Sequence, residues 1–239
     1  VDLSEPYNVM GHQVLIGASV GISMAPGDGV DADKLLKNAD LALYRAKADG
    51  KGAFRFFESE MDARVQARRQ LEMELRSAML AHQLEVNYQP LVNLESGEIS
   101  GFEALVRWPH PVRGYVSPAE FIPVAEETGL TGTLGAYVLK QACSDAAKWP
   151  ETVKLAFNLS ALQFRTGNLF ALVRQTLEET GLSPKRLELE ITESLLLDKV
   201  DHVLATLHAL RALGVHISMD DFGTGYSSLS YQRKFPFDK

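Results

Sequence analysis

The chain has 239 residues, 46% hydrophobic and 23% charged, with a formal net charge of −7. This is ordinary globular composition for two small domains or one larger one, and the acidic balance argues against non-specific binding to a nucleic-acid polymer. No apolar run approaches the roughly 20 residues that span a bilayer and no signal peptide opens the chain, so membrane attachment is expected only through segments outside it.

In chain order, the even positions Val14, Ile16, Ala18, Val20 and Ile22 are apolar while the intervening residues are mostly polar or small. This alternation predicts a strand over 12–22 with its even face buried. Pro26-Gly27-Asp28-Gly29 is a turn. Asp31 or Asp33 can cap a helix with apolar face Ala32, Leu35, Leu36, Ala39, Ala42, Leu43 and Ala46, and Gly50 is placed to end it. A short strand is expected at 53–57. Residues 59–82 hold no Gly or Pro and many charges, which predicts one long helix or two in series. Leu71, Leu75 and Met79 form one apolar stripe, too short a repeat for a coiled coil.

Beyond Leu71 the pattern changes. Strands are expected at 84–91 and 99–108, with Gly97 marking the turn between them. Ser117-Pro118, with Glu120 three residues after the serine, opens a helix. A further helix is expected over 134–148; then strand and helix alternate at 153–159, 168–180, 187–191, 199–213 and 215–219. Gly181 and Gly214 serve as stops. Strand starts about thirty residues apart with helices between predict right-handed βαβ units. The fold class expected is therefore α/β, a parallel TIM-type barrel. About 250 residues close such a barrel, so this one is expected to be truncated. Cys143, inside a helical pattern, can form no internal disulfide; we expect a buried thiol in a reducing, cytoplasmic compartment.

Five oxygen-bearing side chains follow or close the strand-like runs: Glu103, Asn158, Glu190, Asp220 and Asp221. Barrels gather their chemistry at the carboxyl ends of their strands. Hard oxygen ligands arriving from several strands suit Mg²⁺ or Mn²⁺. A salt bridge could account for one buried carboxylate, but not for a converging set. Adjacent Asp220 and Asp221 would point to opposite sides of an ideal strand, so both reach one site only where the backbone bends toward Gly223.

Several motifs occur in one order from Leu71 onward: Tyr88-Gln89-Pro90, Glu103-Ala104-Leu105, Phe121-Ile122-Pro123 with Ala125-Glu126, Asn158-Leu159-Ser160, Glu190-Ile191-Thr192-Glu193, Asp220-Asp221-Phe222-Gly223-Thr224-Gly225 and Phe235-Pro236-Phe237-Asp238-Lys239. Together they resemble the EAL-domain phosphodiesterases that cleave cyclic di-GMP. The first segment, through Ala18–Ile22, Asn38-Ala39-Asp40 and Ala42–Lys47, is similar to the C-terminal part of a GGDEF diguanylate cyclase domain. The domains expected are 1–58 for that part, 59–70 for a helical linker and 71–239 for a C-terminally truncated EAL domain.

The EAL resemblance implies hydrolysis of cyclic di-GMP to linear pGpG with two divalent ions, Mg²⁺ or Mn²⁺. It implies that Glu103, Asn158, Glu190, Asp220 and Asp221 hold the ions, that Glu103, Asp220 and Asp221 act in catalysis through an activated water, and that Gln89 and Arg107 contact substrate. A homodimer through the EAL domain and linker helix is also expected. The GGDEF signature itself is absent, and Lys51 stands where an arginine is usual, so no cyclase activity is implied. A lysine, a glutamate and a late glutamine used by active members are expected beyond Lys239. The alternatives are a non-catalytic cyclic di-GMP receptor, a scaffold acting through dimerisation, and another Mg²⁺-dependent barrel enzyme. His110, His202, His208 and His216 are assigned no catalytic role.

Overall fold

The computed structural model describes residues 6–10, 12–14, 16–50, 52–165, 168–192, 200–220 and 237–238; for a few, Asp220 among them, it describes the backbone only. Contacts divide the chain into two units, Val1–Met73 and Glu74–Lys239.

In the first unit, β1 (Tyr7–Val9) and β2 (His12–Val14) form an antiparallel hairpin, and β3 (Val20–Ile22) pairs in parallel with β4 (Phe54–Phe56). Helix α1 (Ala32–Ala48) lies between β3 and β4 in sequence and packs on both. Asp31 is its N-cap: the carboxylate accepts from the Lys34 N–H at 2.8 Å. Gly50 follows its end at φ 114°, in the region glycine favours.

The single strand expected over 12–22 is corrected in two ways. It is two strands, β2 and β3, with different partners. The even face is also not the buried one: Ile16 and Val20 are each 48% exposed. Instead α1 sits on the small odd side. A Cβ built on Gly21 would lie 2.8 Å from Leu43 Cα and closer still to Ala39 O and Leu43 N. The helix backbone approaches where no side chain stands, so close approach outweighs the apolar alternation here.

Helix α2 (Ser59–Leu80) is one continuous helix in which the boundary between the units falls; Leu71, Leu75 and Ala78 are its buried stripe. The second unit opens with β5 (Glu85–Val92) and β6 (Ile99–His110), and here the all-parallel expectation is corrected. β5 runs antiparallel to β6, with Gln89 opposite Glu103. The link between them, a turn in which the Asn93 side chain accepts from the Glu95 and Ser96 N–H groups and Gly97 takes φ 72°, is too short for the crossover a parallel pair needs. From β6 onward the ladder is parallel, through β8 (Lys154–Leu159), β9 (Leu187–Thr192) and β10 (His216–Asp220), in the order β10-β9-β8-β6-β5. A short β7 (Gly114–Val116) folds back on the end of β6.

The helices are α3 (Pro118–Glu127), α4 (Thr131–Ala146), α5 (Ala161–Arg165), α6 (Leu169–Thr180) and α7 (Val200–Leu213). α3 starts as predicted, with Ser117 capping the Ala119 N–H and Pro118 in the first turn. α4 begins three residues before the predicted start, at Thr131, and α5 was not anticipated. Gly181 (φ 72°) and Gly214 (φ 102°) terminate helices as expected.

Alternate strand residues Leu155, Leu187, Leu189, Ile191 and Ile217 are fully buried with Leu207 and Leu210 of α7, forming the core on one face of the sheet. Trp108 meets Phe121 edge-on at 5.6 Å. Cys143 is buried in α4 and free, and burial pushes its thiol up to about 12. Among the described residues no helix is long and apolar enough to cross a membrane.

Candidate metal and substrate site

Because side chains alternate across a strand, the apolar core on one face leaves the other to the polar residues between. The ladder fixes which of them meet. Glu103 stands opposite Ala156, Asn158 opposite Glu190, Glu190 opposite Ser218, and Thr192 opposite Asp220. By this register Glu103, Asn158, Glu190 and Asp220 share one face of four neighbouring parallel strands. Glu103 is mid-strand in β6, but β6 pairs with β8 only over Gly101–Ala104, so Glu103 lies at the carboxyl end of that parallel ladder. Asp220 is the last residue of β10, and Asp221 lies outside the described residues.

The Asn158 amide donates to Glu103 Oε1 at 2.6 Å. The charge on the carboxylate strengthens that bond. Gln89 is exposed on β5, paired with Glu103 across the hairpin. Its neighbour Tyr88 faces the other way, donating to Asp145 Oδ2 at 2.8 Å and pinning β5 to α4. Burial pulls the Asp145 carboxyl upward, but hydrogen bonds from Gln141, Tyr88 and Lys148 outweigh it and hold the group below its usual range. Arg107 stands on the Glu103 side of β6, four residues on, about 13 Å along an ideal strand. Its Nη1 donates to the Val106 carbonyl at 2.9 Å. His110 lies 3.7 Å from Glu74; His216, opposite Glu188 in the ladder, lies 3.8 Å from Asp238.

The donor set suits a hard divalent ion. Every side chain on the list offers oxygen, once the Asn158 amide turns its oxygen where its nitrogen now stands. Ser218 Oγ, opposite Glu190, is buried with no hydrogen-bond partner among the described residues. Among the described residues no three His, Cys, Asp or Glu side chains are close enough to cage an ion; the Asp220 side chain and Asp221 stand outside that description.

Beside this face lies a cavity of about 280 Å³, bounded by Leu105 and Arg107 of β6, Phe157 and Asn158 of β8, and residues of α3, α4 and α5. No sequence pattern marks it, since its walls come from five separate elements. Glu188 was also missed as a site-face residue: it is buried two positions before Glu190. The alternation Leu187-Glu188-Leu189-Glu190 carried that signal.

The EAL domain family matches residues 72–239, and the Diguanylate cyclase, GGDEF domain family matches residues 1–53. This chain belongs to the EAL-domain family, with part of a GGDEF domain ahead of it. It is 44% identical over 98% of its length to the bifunctional diguanylate cyclase/cyclic di-GMP phosphodiesterase MucR of Pseudomonas aeruginosa, covering 35% of that protein. It is 42% identical over 99% of its length to the cyclic di-GMP phosphodiesterase NbdA of the same organism, covering 31%. The chain therefore spans about a third of these relatives. A solved structure described as the PaMucR phosphodiesterase in complex with cyclic di-GMP superimposes with a TM-score of 0.68 at 44% identity, covering 70% of each chain.

Proposed function

We propose that the protein hydrolyses cyclic di-GMP to linear pGpG with Mg²⁺ or Mn²⁺. The observation that carries this reading is the ladder register: Glu103, Asn158, Glu190 and Asp220 stand on one face of four adjacent strands, toward the carboxyl end of their parallel pairing. Relatives at about 40% identity bear the names of cyclic di-GMP phosphodiesterases, which supports the choice of substrate.

In this reading Glu103, Asn158, Glu190, Asp220 and Asp221 hold two ions. Such ions supply charge neutralisation at a phosphodiester and a water acidic enough to attack near neutral pH. The chain's own residues do the rest. Asn158 gives a neutral oxygen, which limits the negative charge presented to an anionic substrate. Its contact with Glu103 keeps that carboxylate oriented before any ion arrives. Arg107 offers a planar fork to a phosphate oxygen pair, and the Gln89 amide reaches the same face from the hairpin partner. Dimerisation through the EAL unit and α2 belongs to this reading, with Met73 and Leu80 exposed on that helix. So does a cytoplasmic setting, which a nucleotide substrate and a free buried thiol both suit. The domain bounds of this reading are 1–58, a linker over 59–70, and 71–239.

The test is cyclic di-GMP turnover by the full-length protein with Mg²⁺ or Mn²⁺, beside a Glu103→Ala control. Metal-dependent pGpG formation that the substitution abolishes is the expected result. A folded protein that binds the dinucleotide without cleaving it would make this a receptor instead, and one that does neither would refute both.

A further inference from the structure

Asn158 is exposed and next to last in β8, and the chain leaves the sheet after Leu159. Its amide stands 2.6 Å from Glu103 Oε1, so the backbone just beyond it decides whether that placement holds. Two contacts fix this backbone, both at Ser160. The Ser160 N–H donates to Gln163 Oε1 at 2.9 Å, the backward-reaching half of a capping box at the start of α5. The Ser160 hydroxyl accepts the Leu162 N–H at 3.4 Å, and it donates its own proton outside the helix, to Glu126 Oε1 at 2.9 Å, 34 residues earlier in the chain.

Glu126 lies in the last turn of α3, where the chain places Glu126 and Glu127 and no basic residue. Carboxylates there face the negative end of the helix dipole, the less favourable end for them. Glu126 is also exposed, so water can replace either partner and the bond adds little to stability. What it adds is placement. α3 is seated on β6, the strand of Glu103, by Phe121 edge-on against Trp108 at 5.6 Å. Through Glu126 the same helix grips the end of β8, the strand of Asn158. It thus braces together the two strands whose side chains meet in the candidate site.

We propose that Glu126 is a positioning residue: through the Ser160 hydroxyl it holds the end of β8 so that Asn158 keeps its place beside Glu103. This rests on the phosphodiesterase reading above, in which both side chains hold ions. Groups that orient metal ligands from outside typically change metal affinity or activity about ten- to a hundredfold when removed. Glu126 acts through one further residue, so its effect is expected at or below the lower end of that range.

The test is Mn²⁺ affinity by calorimetry on the full-length protein, beside Tm and cyclic di-GMP turnover. Glu126→Ala and Ser160→Ala should each raise the Kd for Mn²⁺ about three- to tenfold. The double variant should be no worse than the weaker single, because both remove one bond. The Tm of Glu126→Ala should stay near that of the wild type. Glu126→Gln keeps an oxygen that accepts the hydroxyl and should return most of the lost affinity. A lower Tm with unchanged Kd in Glu126→Ala would make the bond a merely stabilising contact and overturn the proposal. Additive losses in the double variant would do the same. So would Glu126→Gln no better than Glu126→Ala, which would assign the effect to charge rather than to the bond. If the wild type binds Mn²⁺ and cleaves cyclic di-GMP and Glu126→Ala matches it, only this assignment fails; if the wild type takes up no Mn²⁺ and cleaves nothing, the phosphodiesterase reading fails and carries this one with it.

Discussion

Gly101→Ala should damage both stability and turnover although Gly101 is no ligand. Gly101 opens the parallel pairing of β6 with β8, opposite Lys154, two residues before Glu103. A Cβ there would stand 2.7 Å from the Lys154 carbonyl oxygen and 3.3 Å from its carbonyl carbon. Ordinary carbon–oxygen contact is at about 3.3 Å even in the close Cα–H···O approaches of sheets, so β6 and β8 must part by roughly 0.6 Å. The clash is with backbone, which no rotamer change can relieve. Overpacking of this kind costs about 1–3 kcal/mol, or about 2–12 °C in Tm at 2–4 °C per kcal/mol for a unit of this size. The same parting stretches the 2.6 Å bond between Asn158 and Glu103. Misplacement approaching 1 Å can cost about a hundredfold in rate, so we expect kcat to fall about ten- to a hundredfold. Gly181→Ala is the control: that glycine has φ 72°, but a Cβ would meet nothing within 4 Å. It should cost about 1–2 kcal/mol of left-handed strain and leave kcat unchanged. Calorimetry and pGpG release measure both variants. Wild-type Tm and turnover in Gly101→Ala would refute the claim that this backbone approach sets the site.

Asn158→Asp puts a second carboxylate against Glu103 Oε1 where an amide now donates; without divalent ions the Tm should fall by several degrees, and millimolar Mn²⁺ should recover most of the loss, as thermal melts with and without EDTA would show. The Cys143 thiol is held neutral by burial, with its value at about 12 against about 8.5 when unfolded. The folded state therefore binds the proton more tightly, and stability is fully present below about pH 8.5 and lost progressively as pH rises toward 12. Cys143→Ala should flatten that alkaline decline in urea titrations at pH 8 to 10.5, and an unchanged slope would contradict the assignment.

The periodic parts of the second unit were legible because two signals agreed there. Apolar runs marked β8, β9 and β10, while Gly181 and Gly214 marked the helix ends. Asn158 and Glu190 stand out in the sequence because each interrupts an apolar run. The turn at Gly97 is legible in the sequence, but the antiparallel direction of β5 departs from the parallel barrel expected. In the first unit the alternation over 12–22 pointed to the wrong face, since Gly21 admits the α1 backbone and no hydropathy pattern encodes that approach. The cavity depends on three-dimensional juxtaposition alone.

The hairpin of β5 and β6 has a consequence for how the site is assembled in time. Gln89 and Glu103 face each other across one short turn, so that half can zip up within microseconds, as isolated hairpins do. Asn158, Glu190 and Asp220 must each wait for a further crossover to close, every one a longer loop with a larger entropy cost. Nascent chain leaving the ribosome would thus hold one half of the site early and acquire the remaining ligands one βαβ unit at a time. If these residues hold ions as proposed, competence for an ion would be the last property to appear.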